Sequence, residues 1–216
     1  MQTVYVRTTY SAVIQACLLR RLPSRVMLRA QQRTYQAPGA RAPKNGWPTM
    51  PIPAEVALLL ESFDRNARVT RALLDTLSME DLEYSDGVGG FKIGQHLADI
   101  VNFRLGWLKR VSPEHAERVT DVTGETPTWL TVGSVAELQA AFDEGDAAMR
   151  SAVLDAMAEG RGFKGYYESH PAHLIQHCIV HDSHHRGQIA ALLRQAGRPE
   201  DQRMALEDLS WAIWRE

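Results

Sequence analysis

The sequence of 216 residues contains few cysteines and no long apolar run. Its two cysteines, Cys17 and Cys178, lie far apart in unlike surroundings, so no disulfide framework is indicated. No stretch approaches the roughly 20 apolar residues needed to cross a bilayer. Hydrophobic residues make up 44% and charged residues 23% of the chain, as in ordinary globular proteins. We therefore predict a cytoplasmic protein that has no membrane partner.

Acidic side chains are missing from residues 1–50, which contain seven arginines and one lysine. Residues 51–216 carry 16 basic and 26 acidic side chains. Such a basic segment is typical of an organellar transit peptide or of an arm that binds nucleic acid non-specifically. A third alternative is a gene start placed too far upstream, because Met50 directly precedes the first well-patterned helix. We favour the third alternative and predict that residues 1–50 are a disordered extension, with 51–216 as the folded domain and no specific nucleic-acid partner.

Alternation of apolar and polar residues, the mark of a strand, is also missing, whereas four segments repeat apolar residues with a helical period. The third segment begins with a capping box, in which Ser134 accepts from an early backbone N–H and Glu137 reaches back. Gly197 ends the fourth, and we expect the tail beyond it to pack against the other helices. The pattern predicts an all-α protein with a four-helix bundle. The segments span about 54–77, 91–111, 135–160 and 172–197.

Five of the eight histidines lie in the fourth segment, and two of them differ from the rest. At about 100° per residue, His181 and His185 fall within the apolar face of the helix, while the other three fall on one flank. Imidazoles four residues apart stand one turn apart on the same face and can bind one metal ion. His96 faces the interior from the second segment and is the candidate third ligand. For each of these three histidines, the alternative is a buried side chain whose nitrogens are satisfied by hydrogen bonds. Three such imidazoles in one small core would leave several polar nitrogens to satisfy, which favours a metal.

Several residues near these histidines are candidates for supporting roles in the site. Asp182 is a candidate catalytic residue that accepts from an imidazole N–H, or else forms an ion pair with Arg186, four residues on. Gln188 is a candidate for hydrogen bonding in the site. Cys178 is interpreted as a plain buried thiol. Gly187 in mid-helix suggests the close approach of another helix.

The segment His181-Asp182-Ser183-His184-His185-Arg186-Gly187-Gln188-Ile189 resembles a signature of the DinB/YfiT-like superfamily. His96, in Ile-Gly-Gln-His-Leu-Ala-Asp-Ile, resembles the histidine that this superfamily carries in its second helix. The resemblance covers about residues 54–216. It implies a bundle whose helices run up-down-down-up, with one divalent transition metal held by His96, His181 and His185.

Superfamily members of known activity mostly use thiols, such as bacillithiol or mycothiol, which they join to electrophiles. The resemblance therefore implies a metal-dependent thiol S-transferase with a low-molecular-weight thiol as cosubstrate and an electrophilic small molecule as partner. A metal-dependent hydrolase is the first alternative, because His181-Asp182-x-x-His185 is similar to the HExxH arrangement. A non-catalytic, metal-stabilised stress-response module is the second. Zinc is the expected metal, with nickel or iron as alternatives, and a homodimer is expected by analogy.

Overall fold

The structure is a computed structural model that describes residues 52–124 and 130–216. The extension predicted over residues 1–50 and part of the long connection after the second helix lie outside the described residues. Within them the protein is helical, and the one β-type pairing is an isolated bridge between Thr123 and Leu130. No helix among these residues has the length and apolarity to span a bilayer. The helices are α1 (Ala54–Leu74), α2 (Ile93–Val111), α3 (Pro113–Ala116), α4 (Val135–Ala158), α5 (His173–Gln195) and α6 (Glu200–Trp214), with a 3-10 turn at Asp81–Glu83.

The four long helices α1, α2, α4 and α5 correspond to the four segments with a helical period. Helix α2 packs against α4 and α5, and α1 packs against α4, α5 and α6. Local interactions determine the helix ends. At the start of α4, the Ser134 hydroxyl accepts from the Glu137 N–H at 3.2 Å, as predicted. The Glu137 carboxylate accepts from the Gly133 N–H at 3.0 Å, one residue before the expected partner. Gly197 follows α5 with φ of 81°, a left-handed conformation that glycine adopts without strain.

The tail after Pro199 forms α6, which packs on α1. The Arg65 guanidinium donates to the Trp214 backbone oxygen at 2.9 Å, and Ile213 is buried. Trp211 on the same helix is 55% exposed. The tail therefore packs back as predicted, and Ile213 contributes to this contact.

The hydrophobic core consists of two clusters, and each long helix carries buried polar residues near the boundary between them. In α1, Phe63 belongs to one cluster and Leu73 to the other, with buried Asn66 and Thr70 between them. The buried residues near this boundary are charged in the other three long helices: Asp146 in α4, Asp182 in α5, and Arg104 in α2, directly after Phe103. Buried charges need partners, so this polar layer requires a specific arrangement of all four helices.

Candidate metal centre

The candidate metal ligands are one carboxylate from α2 and two imidazoles from α5. Potential ligand atoms of Asp99, His181 and His185 all lie within 4.8 Å of one another, and among the described residues no other such group of three exists. His185 Nε2 is 3.3 Å from Asp99 Oδ2. The two imidazoles stand one turn apart on α5, with ring centroids separated by 4.5 Å. The predicted pairing of His181 with His185 on one face of the helix is confirmed.

Asp99 was not identified from the sequence, whereas His96, the predicted third ligand, lies against the ligand group. His96 contacts His185, with the two Nδ1 atoms 3.0 Å apart. It lies outside the group of three ligand atoms, so its role as a ligand remains a prediction. The signal for Asp99 was its position three residues after His96, which places both side chains on the same face of α2.

Burial and neighbouring charges favour the neutral form of His185 and His96. Burial, together with the neighbouring His181, lowers the pKa of His185 to about 4, and Asp99 opposes these effects only in part. Burial also lowers the pKa of His96. A neutral imidazole has a free lone pair, so near neutral pH the proton does not compete with a metal ion at these positions.

One side of the ligand group is open to solvent. The side chain of Asp99 is 33% exposed and that of His181 is 18% exposed, against 9% for His185. A surface cavity of about 190 Å³ lies next to His96, which contacts His185, and Phe91, Gln188 and Gln195 also line it. The three residues of the ligand group do not line this cavity.

Gln188 lies at this cavity rather than among the ligand atoms. Its amide hydrogen-bonds to the exposed His184 ring at 2.7 Å. The structure therefore places Gln188 where a bound molecule would meet it, and its catalytic role remains a prediction.

On the other side, aromatic rings connect His181 to the surface. The Phe103 ring centroid is 4.2 Å from that of His181, and Trp107 packs beside Phe103 at 6.1 Å. Tyr167 packs on Trp107 and shares a hydrogen bond of 2.8 Å with Nδ1 of His177. The loop before α5 thus contributes Tyr167 to this aromatic surface, whereas Phe163 from the same loop is buried in the core.

Asp182, which follows His181 on α5, is fully buried, and its carboxylate forms an ion pair with Arg104. Its carboxylate accepts from Arg104 Nη1 at 3.0 Å, from Arg104 Nη2 at 2.7 Å and from the Asn66 amide at 2.8 Å. Burial alone would raise the pKa of Asp182, but Arg104 outweighs it and holds the pKa well below its usual range. The ion pair suggested with Arg186 is not formed, and Arg186 donates to the Thr70 hydroxyl at 2.8 Å. Asp182 has no exposed surface, and its catalytic role remains a prediction.

Arg104 links three helices through two carboxylates. Besides Asp182 on α5, its Nε donates to Asp146 on α4 at 2.6 Å, and its guanidinium lies over the Phe142 ring at 4.2 Å. Burial raises the pKa of Asp146 to about 6, because Arg104 opposes this effect only in part while also pairing with Asp182. Gly145 leaves room for the Arg104 side chain, since a Cβ there would lie 2.7 Å from its Cδ.

The donor set fits a divalent transition metal. Two imidazoles and one carboxylate form the three-ligand set of many catalytic zinc sites, which keep a further position open. The same set with open positions also suits iron. His181 Nδ1 is buried without a hydrogen-bond partner, and the nearest carboxylate oxygen, Asp182 Oδ1, is 3.9 Å away. Burying an unpaired polar group is costly, and a metal ion bound at Nδ1 itself would supply the partner that this atom lacks.

Comparison with known protein families agrees with the helical architecture. The family model described as the DinB family matches residues 50–216, which include every helix described above. No curated protein matches the sequence. The match covers well over half of the chain and includes both α2 and α5, which carry the candidate ligands. The chain therefore belongs to the DinB family.

Proposed function

We propose that this protein is a metal-dependent enzyme that activates a low-molecular-weight thiol and transfers it to an electrophilic small molecule. One observation carries the proposal: two imidazoles and a carboxylate converge at a point that is partly open to solvent. A closed, fully protein-ligated ion would instead indicate a structural site. Membership of the DinB family supports the proposal through the thiol-dependent activities of similar proteins.

Asp99, His181 and His185 would hold the metal, and His96, which contacts His185, is a further candidate ligand. Zinc is the expected ion, with nickel or iron as alternatives. A divalent metal bound there would lower the pKa of a thiol, so that the sulfur is present as a thiolate near neutral pH. In the transfer the sulfur forms a bond to the electrophilic carbon, the thiol proton passes to solvent, and the leaving group departs with its electron pair. The protein then needs no nucleophile of its own, which agrees with the burial of Cys178.

The residues around the ligand group would bind and orient the two substrates. Gln188 and Gln195 offer amide donors and acceptors at the cavity, and Phe91 forms an apolar wall. On the opposite side, Phe103 and Trp107 present aromatic surface next to His181. Apolar walls exclude water and strengthen the electrostatic interactions of a bound thiolate.

Hydrolysis by metal-activated water is the weaker alternative. The ligand set of two histidines and one carboxylate favours it, because zinc hydrolases use such sets. The acidic residue that the sequence offered as the base, Asp182, is buried in its pair with Arg104 and does not reach the open side. A non-catalytic, metal-stabilised stress-response module is the second alternative.

A cobalt-loaded sample tests the proposal, since cobalt occupies zinc sites and absorbs visible light. We expect addition of a small thiol such as 2-mercaptoethanol to produce sulfur-to-cobalt charge-transfer absorption, and metal-loaded protein to accelerate consumption of an electrophile only with thiol present. His185→Ala, which removes a ligand, is expected to abolish both effects, whereas His184→Ala, which alters an exposed neighbour, keeps them. Turnover of esters or amides without thiol would favour the hydrolase instead. Neither thiol binding nor turnover by metal-loaded protein would favour the non-catalytic module.

Finer features of the family resemblance belong to the same proposal. We infer an up-down-down-up order of the four long helices, a homodimer, and a cytoplasmic location, with small molecules rather than nucleic acid as specific partners. The packing of α1, α2, α4 and α5 against one another supports the bundle. Size-exclusion chromatography with light scattering tests the homodimer.

A further inference from the structure

An aromatic patch lies where α2 meets the start of α5, and it consists of Trp107, Tyr166, Tyr167 and His177. The ring centroid of Trp107 lies 5.2 Å from that of Tyr166, 5.2 Å from that of Tyr167 and 5.9 Å from that of His177. Tyr166 is 44% exposed, and His177 is also exposed. Exposed aromatic surface that is bordered by polar groups is a feature of ligand-binding grooves.

The aromatic patch is continuous with the candidate metal centre. His177 precedes His181 by four residues on α5, so the two side chains stand on neighbouring turns of one face. Phe103 contacts both rings, with centroid distances of 4.9 Å to His177 and 4.2 Å to His181. A small molecule that lies on the patch would therefore place its reacting atom near the ligand group.

The loop that carries the two tyrosines contains a strained residue. Tyr167 has φ of 33°, a left-handed value that bulky residues rarely adopt. Its hydroxyl shares a hydrogen bond of 2.8 Å with Nδ1 of His177, and its ring packs on Trp107. Such strain persists where surrounding contacts fix the residue, and it is concentrated at functional sites. The contacts of Tyr167 thus keep the aromatic patch preformed for a ligand.

A positive charge lies beside the aromatic patch. The Arg110 guanidinium lies over the Trp107 ring, 5.3 Å from its centroid. Burial raises the pKa of Tyr167 to about 12, and Arg110 opposes this effect only in part, so the hydroxyl stays protonated near neutral pH. Electrophilic aromatic rings carry electron-withdrawing groups such as nitro or carbonyl groups, and their oxygen atoms accept from a guanidinium or a phenol. The edge of the patch therefore suits a ring of this kind.

We propose that the aromatic patch binds the electrophilic substrate as a flat aromatic ring, so that the protein selects aromatic over aliphatic electrophiles. The inference rests on the proposed thiol transfer and names the substrate class for it. The transfer is then an aromatic substitution. The sulfur forms a bond to a ring carbon, the bond from that carbon to its leaving group breaks, and the leaving group departs with the electron pair, while the thiol proton passes to solvent. The amides of Gln188 and Gln195, at the cavity next to His96, suit the polar chain of the thiol instead.

Two electrophiles of different shape test the inference on zinc-loaded protein with 2-mercaptoethanol. The first, 1-chloro-2,4-dinitrobenzene, is aromatic, and the second, iodoacetamide, is aliphatic. We expect Tyr166→Leu to raise KM for the aromatic electrophile roughly 3- to 10-fold with little change in kcat, because one stacking partner is lost. The same variant should leave KM and kcat for iodoacetamide unchanged, and Arg110→Gln should act in the same direction. Trp211→Leu is the matched control, since it removes a ring that is 55% exposed on α6, and it should change neither reaction.

Binding of 1,3-dinitrobenzene, which has no leaving group, tests the same point without turnover and without a variant. In NMR spectra of zinc-loaded wild type, we expect it to shift the indole N–H signal of Trp107 and to leave that of Trp211 in place.

Two kinds of failure are distinguishable. Suppose that thiol-dependent turnover occurs, but Tyr166→Leu changes both electrophiles equally or not at all, or dinitrobenzene shifts neither indole signal. Either result would overturn the inference and leave the proposed function intact. Wild-type protein that consumes neither electrophile in a thiol-dependent way would overturn the proposed function and the inference together.

Discussion

Replacing Asp182 by asparagine is expected to destabilise the protein strongly, even in the absence of metal. The carboxylate of Asp182 pairs with Arg104 through two hydrogen bonds, and both side chains are fully buried. Asparagine removes the negative charge and turns an N–H towards a guanidinium that can only donate. Removing one partner of a buried ion pair costs about 3–5 kcal/mol, because the other charge stays buried. Asp146 offsets part of this cost, since it retains its own bond of 2.6 Å to Arg104.

The size of this effect can be measured by urea unfolding in the presence of a chelator. Against the roughly 5–15 kcal/mol that stabilises an ordinary domain, a loss of about 3 kcal/mol moves the midpoint well beyond experimental error. Glu83→Gln is the matched control, because it removes the same charge from an ion pair with Lys92 whose side chains are 74% and 50% exposed. Such exposed pairs contribute about 0.2–1 kcal/mol. An Asp182→Asn variant that loses no more stability than Glu83→Gln would refute the role given to the buried pair.

Two further predictions concern the same polar layer. Because folding raises the pKa of Asp146 from 3.8 to about 6, its contribution to stability is full below pH about 4 and is lost as the pH rises through about 6. Between these limits wild type should lose up to about 3 kcal/mol of unfolding free energy relative to Asp146→Asn, and parallel pH curves would contradict the assignment. Gly145→Ala should destabilise by about 1–3 kcal/mol in urea unfolding, since the new Cβ would meet Arg104 Cδ at 2.7 Å. Gly187→Ala, whose Cβ would meet nothing within 4 Å, should gain up to about 1 kcal/mol, and equal effects in both variants would count against the packing.

The helices were predictable because their apolar periodicity and end signals are local in sequence. Ser134 and Gly197 specify boundaries through hydrogen bonds and backbone conformation within a few residues, and both lie where the pattern placed them. The inward pairing of His181 with His185 was predictable for the same reason, since one helix determines it.

The contacts between helices could not be predicted from the sequence. Arg104 would ordinarily be assigned to the surface, and only the positions of Asp146 and Asp182 on two other helices explain its complete burial. The role of Asp99 likewise depends on the rotation of α2 against α5. Gly187 was expected to face another helix, but it lies on the exposed side of α5. A wheel drawn for one helix does not identify which neighbour covers each face.

The metal content of purified variants tests the central claim most directly. Wild-type protein, loaded with zinc and dialysed, should contain one ion per chain by mass spectrometry of the elements. His185→Ala removes an imidazole whose Nε2 lies 3.3 Å from Asp99 and should contain none, whereas His184→Ala changes an exposed ring and should keep the full content. Zinc retained at one ion per chain in His185→Ala, or lost equally from both variants, would contradict the proposed centre.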